Sequence, residues 1–142
     1  MISLKTKEWQ INNIDTILFD KDGTFIDLHY FWGRMTELRA EAIIEKYKKD
    51  NSLKERLCTY LGYDLSTQKM LSNGITALYS RSKIIEIFQS NLADENIIIS
   101  RTELEQIFDD VSEKFYQNML EYTKPINDAI EFTQRLLSPG FW

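Results

Sequence analysis

Apolar and polar positions along this chain separate one continuous apolar run from a long series of helical stripes. The run is Thr16-Ile17-Leu18-Phe19, β-branched and apolar, flanked by Asp15 and Asp20. A short run of this kind suits a strand buried on both faces, as in a parallel sheet. A strand is therefore expected over residues 15–20, followed by a loop over 21–28. From there the spacing turns helical. Phe31, Met35, Leu38 and Ala42 recur at helical intervals, with Arg34, Glu37, Arg39 and Glu41 between them, which predicts a helix to about Lys49. A shorter helix is expected over 52–61. Asp64, Ser66, Ser72, Asn73 and Gly74 then mark a loop or small hairpin within 62–76.

The next helix carries Ile84, Ile85, Phe88 and Leu92. Ser100 and Glu103 form a capping box ahead of Leu104, Ile107, Phe108, Val111, Phe115 and Met119, a stripe that predicts the longest regular helix. Pro125 is placed to open a last helix at a position where its missing N–H costs nothing, with Ile126, Ala129, Ile130, Thr133 and Leu137 on one side. Pro139-Gly140 would stop it. The expected organisation is one strand followed by about five helices. The bundle should pack Phe31, Met35 and Leu38 against Phe108, Val111 and Phe115.

Composition narrows the function classes. The chain has 142 residues, 43% hydrophobic and 13% aromatic, enough apolar surface for a core, so a wholly disordered chain is excluded. Its 17 Lys and Arg against 22 Asp and Glu leave a net charge of −5, which argues against a nucleic-acid binder working through a basic face. One cysteine, Cys58, cannot form an internal disulfide, and one histidine, His29, cannot build a histidine-rich metal site. No apolar run approaches the ~20 residues of a membrane helix, and residues 1–13 lack the apolar stretch of a leader. The expectation is a soluble, cytoplasmic protein in a reducing compartment.

Chemistry concentrates in Ile17-Leu18-Phe19-Asp20-Lys21-Asp22-Gly23-Thr24. Two carboxylates leave the carboxyl end of the expected strand, the end at which open α/β sheets bind ligands. Asp20 is placed as a nucleophile and metal ligand, and Asp22 as a general acid/base reaching the same centre. Gly23 allows a sharp turn and a close approach to a bound anion. A calcium loop does not fit. With Asp20 first, position 6 is Phe25 and position 12 is Phe31; with Gly23 sixth, the first position is Leu18. A plain surface turn fits the Asp and Gly content, but not the apolar run before it.

The segment Leu18-Phe19-Asp20-Lys21-Asp22-Gly23-Thr24 resembles the first signature motif of the haloacid dehalogenase (HAD) superfamily, D-x-D-G-T after a hydrophobic strand. Phe25 departs mildly from the aliphatic residue that the family favours after the Thr. The stretch from about Phe31 to Tyr122 resembles the helical cap of phosphoglycolate-phosphatase-like members, and Leu61-Gly62-Tyr63-Asp64 a segment within it. Residues 125–132 resemble the helix returning from cap to core.

The resemblance implies an α/β class, a Rossmann-like core plus helical cap, although this chain is mostly α. It implies a first core strand and catalytic loop over 1–30, a cap over 31–122 and a returning helix over 123–142, with the remainder of the core absent. Asp20 would attack phosphorus to form an aspartyl-phosphate, and Asp22 would serve the leaving alcohol and then the water. Mg²⁺ would sit on the Asp20 carboxylate and the Asp22 carbonyl, and Gly23 and Thr24 would belong to the phosphate loop. The substrate would be a small phosphorylated metabolite, phosphoglycolate being the best single guess. The family's later Ser or Thr, its basic residue and its further acidic metal ligands follow the returning helix, so the sequence reads as a shortened form, inactive on its own. The alternative is a non-catalytic truncated product or a helical interaction module.

Other residues carry weaker signals. His29 reads as structural or solvated rather than substrate-binding, and Arg81 and Lys83 as a solvated helix face rather than an anion site. Cys58 reads as a small core residue, because no basic cluster surrounds it to activate the thiol. Trp32 and Phe31 read as core. Lys21 should point away from both carboxylates if its segment is extended. The unpaired strand and the apolar Phe141-Trp142 end are expected to favour self-association.

Overall fold

In the computed structural model, which describes residues 2–137, α-helices dominate, and the strands among those residues form two short antiparallel hairpins. The mostly-α content is as expected. The Pro139-Gly140 stop and the Phe141-Trp142 patch lie outside the described residues. Residues 2–27 with 125–137 make one unit and residues 28–124 another.

The first unit opens on a hairpin that the residue pattern did not announce. Strand β1, Ile2–Lys5, pairs with β2, Gln10–Ile14, in the register Leu4 to Ile11 and Lys5 to Gln10, with an irregularity between Ile2 and Leu4. Thr6 closes the turn. Its Oγ accepts from the N–H groups of Glu8 and Trp9, both at 3.1 Å, and its own N–H donates to the Trp9 carbonyl. A turn without Asn-Gly or a central Gly gives little signal in sequence.

The strand expected over 15–20 is absent. Residues 15–20 are irregular, Leu18 is 91% exposed, and Phe19 turns its ring onto Phe25, 5.0 Å away between centroids. A strand buried on both faces needs hydrogen-bonded neighbours and a cover on each side. No described strand pairs with it, so its apolar character has no sheet to enter.

The second unit holds nearly all of the core. Helix α1, Leu28–Tyr47, is followed by a 3₁₀ turn, Asn51–Leu53, capped by the Asp50 side chain. Helix α2 spans Lys54–Tyr60. The small hairpin expected in the following segment is present, as β3 (Tyr63–Asp64) against β4 (Lys69–Met70). The single turn α3 is Ile75–Leu78 and α4 is Arg81–Asp94, whose N-cap is Ser80. Helix α5, Arg101–Gln117, starts at Ser100, whose Oγ accepts from the Glu103 N–H at 3.2 Å. The short α6, Met119–Tyr122, completes the unit.

The α5 stripe is buried from Leu104 to Phe115 as its spacing demands, each large side chain contributing about 1.5–3 kcal/mol of transfer free energy. Met119 falls outside it and is exposed. Helix α1 packs on α5, with the Phe31 and Phe115 rings edge to face at 4.8 Å. The buried positions of α1 are rotated from the expected set. Phe31 and Met35 are inside, but Leu38 is only half-buried, while Thr36, Arg39, Ala40 and Ile43 are buried.

Helix α7, Asn127–Leu137, closes the first unit. It starts two residues after Pro125, which instead bridges to Ile26, and the Ile126 N–H donates to the Phe25 carbonyl at 2.9 Å. Its inner side carries Ala129, Thr133 and Leu136, whereas the expected Ile130 and Leu137 are exposed.

Candidate functional site

The loop after Phe19 is a tight turn built on one carbonyl. The Lys21 oxygen accepts from the N–H groups of Phe25 at 3.0 Å, Ile26 at 3.1 Å and Thr24 at 3.3 Å. The Gly23 N–H donates to the Ile26 carbonyl at 2.9 Å, and Gly23 adopts φ +80°, the left-handed conformation that favours glycine. The sharp turn expected at Gly23 is therefore present. The Gly23 and Thr24 amides are engaged within it and are not presented to an anion.

Asp20 and Asp22 flank Lys21 at the start of this turn. The Asp20 carboxylate is exposed and makes no hydrogen bond or ion pair with a described residue. Asp22 is half-buried, and its Oδ1 accepts from Lys21 Nζ at 2.5 Å. Lys21 thus reaches a carboxylate that an extended segment would have kept on the opposite side, because the chain curls instead of extending. This contact occupies one of the Asp22 oxygens.

Asp20 and the Asp22 carbonyl are the two oxygens that the described residues would offer to Mg²⁺ here, with the rest of its shell left to water and phosphate. Nowhere among the described residues do three or more His, Cys, Asp or Glu side chains converge where an ion could be held. Mg²⁺ demands near-octahedral oxygen ligation, and Asp20 with a lysine-bound Asp22 covers a minority of it.

The remaining candidates have structural partners. His29 Nδ1 accepts from the Met70 N–H at 3.0 Å. Arg81 pairs with Asp109 at 2.6 Å and Lys83 with Glu86 at 2.7 Å on exposed surface. Cys58 is fully buried, and burial together with the nearby Glu37 carboxylate pushes its thiol up to about 12, so it is no nucleophile. One residue the pattern placed on the polar side is buried: Arg39, 7% exposed, with its guanidinium carbon 4.2 Å from the Phe108 ring centroid. Spacing alone offered a cue, since Phe31, Met35, Arg39 and Ile43 repeat every four residues. Comparison with protein-family models, curated proteins and solved structures finds no match to this chain.

Proposed function

We propose that this chain carries the nucleophile loop and the helical cap of a HAD-type phosphatase acting on a small phosphorylated metabolite. Asp20 is the nucleophile toward phosphorus, and Asp22 is the acid/base that serves the leaving alcohol and then the attacking water. The observation that carries this reading is the turn itself. Asp20, exposed and without a hydrogen bond or ion pair to a described residue, and Asp22, held by Lys21, lead into a turn that Gly23 supports at positive φ. Phosphoglycolate is the proposed substrate by resemblance, and a cap that closes over the loop would favour substrates of that size.

The described residues fall short of a full site. Phosphate-monoester hydrolysis needs accelerations of up to ~10²¹-fold, and phosphoryl transfer obtains them by positioning and charge neutralisation. Two carboxylates repel a phosphate dianion, and Lys21 offsets only one of them. The test is hydrolysis of a generic aryl phosphate with excess Mg²⁺ by the parent chain and by Asp20→Asn. A small residual rate that disappears in the variant is expected. Equal rates would remove the nucleophile assignment, and fast turnover by the parent would show that the described residues suffice.

One observation favours a second reading, a helical interaction module without chemistry of its own. The packed core lies in residues 28–124, whereas Leu18, beside the carboxylates, is exposed to solvent. A panel of phosphorylated metabolites of which none is turned over, even slowly, would favour it.

A further inference from the structure

Arg39 is anomalous among the arginines. Arg34, Arg56, Arg81 and Arg101 each meet a carboxylate within 3.4 Å. Arg39 is more deeply buried than any of them, yet its guanidinium makes no hydrogen bond or ion pair with a described residue. Its Nε is the one side-chain polar atom among the described residues that is sealed from solvent without a partner. The terminal nitrogens are not sealed in this way. One face of the guanidinium lies over Phe108, a contact that orients the planar fork but brings no counter-charge.

The nearest cation, Arg81, is itself paired with Asp109 at 2.6 Å and brings Arg39 no counter-charge. Arg81, at the start of α4, is close enough to disfavour the Arg39 cation, and burial acts in the same direction more strongly, so the group falls to about 10. Tyr116 on α5 is the other titratable group that acts on it, weakly in its favour. A chain with 22 acidic residues places none of them on this cation. A buried charge without a partner is costly, and folds normally relieve it with a carboxylate or remove the charge. An arriving oxyanion would supply the missing counter-charge, and a guanidinium fork matches carboxylate and phosphate geometry.

We propose that Arg39 is a binding site for a small oxyanion of the carboxylate or phosphate class, held at the solvent-facing end of the Arg39 fork beside Phe108. The site is independent of Asp20 and of the phosphatase reading. It needs no chemistry from the ligand, only negative charge and acceptor oxygens.

The test follows the Arg39 Nε–H resonance of the isotope-labelled full chain, assigned by its loss in Arg39→Met or, should that variant not fold, in Arg39→Lys. Inorganic phosphate and acetate are titrated separately against sodium chloride at matched ionic strength. A saturable shift with either oxyanion and none with chloride is expected, and the tighter of the two identifies the ligand class. Asp20→Asn should bind like the parent, which separates this site from the catalytic loop. No saturable shift with phosphate or acetate, or the same shift with chloride, would overturn the proposal.

Discussion

The Tyr63 ring occupies the space that a side chain at position 33 would need. A β-carbon on Gly33 would come within 2.5 Å of the ring, and Tyr63 is itself buried, at 3% exposure. Glycine inside a helix costs about 1 kcal/mol relative to alanine, so its presence in α1 reflects this contact and not helix propensity. Gly33→Ala should gain that propensity and lose more to overpacking, a net destabilisation of roughly 1–2 kcal/mol. Urea unfolding checks it. Gly33→Ala combined with Tyr63→Leu should cost less than the sum of the single changes, because both act on one contact.

The bond from the Met70 N–H to His29 Nδ1 ties the β3–β4 hairpin to the first turn of α1 across 41 positions of sequence. Removing the ring deletes the acceptor. His29→Ala should speed amide exchange at Met70 while leaving the amides of α5 protected. Equal protection of Met70 in parent and variant would show that the tie is not needed.

Acid sensitivity should run through Glu95. Arg56, bonded to both carboxylate oxygens at 2.9 Å, and the Tyr60 hydroxyl at 2.8 Å hold its carboxyl below the usual range. A carboxyl depressed in the folded state takes up its proton more readily when unfolded. Its stabilisation is therefore present above the unfolded value, about 4.3, and is lost as pH falls through the lower folded value. Melting temperature followed from neutral to acid pH should fall more steeply for the parent than for Glu95→Gln, which should start lower and run flatter.

Cys58 should be silent toward thiol reagents in the native protein. Its thiol is fully buried and raised to about 12, so almost no thiolate exists at neutral pH. Labelling with a maleimide should be negligible in buffer and complete in denaturant. Fast native labelling would mean that the α2 region opens readily.

Gly23 at φ +80° supports the turn that runs from Lys21 to Ile26, directly after Asp20. Gly23→Ala forces a β-carbon into the left-handed region at a cost of about 1 kcal/mol. It should disturb the amide resonances of residues 21–26 and leave those of α4 and α5 in place. An unperturbed loop would mean that the turn does not depend on glycine.

The helices of residues 28–124 were legible because their signals are local. Ser100 and Ser80 cap their helices through their own hydroxyls, and the stripes of α4 and α5 bury the residues that their spacing selects. The turn at Gly23 was legible for the same reason, since the residue type itself permits the conformation. Burial on α1 was not. The apolar stripe through Leu38 and the four-residue stripe through Arg39 are both helical, and packing against Phe108 decided between them. Hydrophobic periodicity reports which side chains would prefer to be inside, not which face the neighbouring helix covers. The segment 15–20 marks the same limit for strands. Its residues state an apolar, β-branched preference, but a strand exists only where another backbone accepts its N–H and C=O groups, and that is decided by tertiary pairing and not by composition. The sequence by itself determined that α1, α4 and α5 are helices, how α5 is capped and where along the chain the two carboxylates stand. Only the tertiary structure decided that Leu18 meets solvent, that Lys21 closes on Asp22, and that one arginine is buried without a counter-charge.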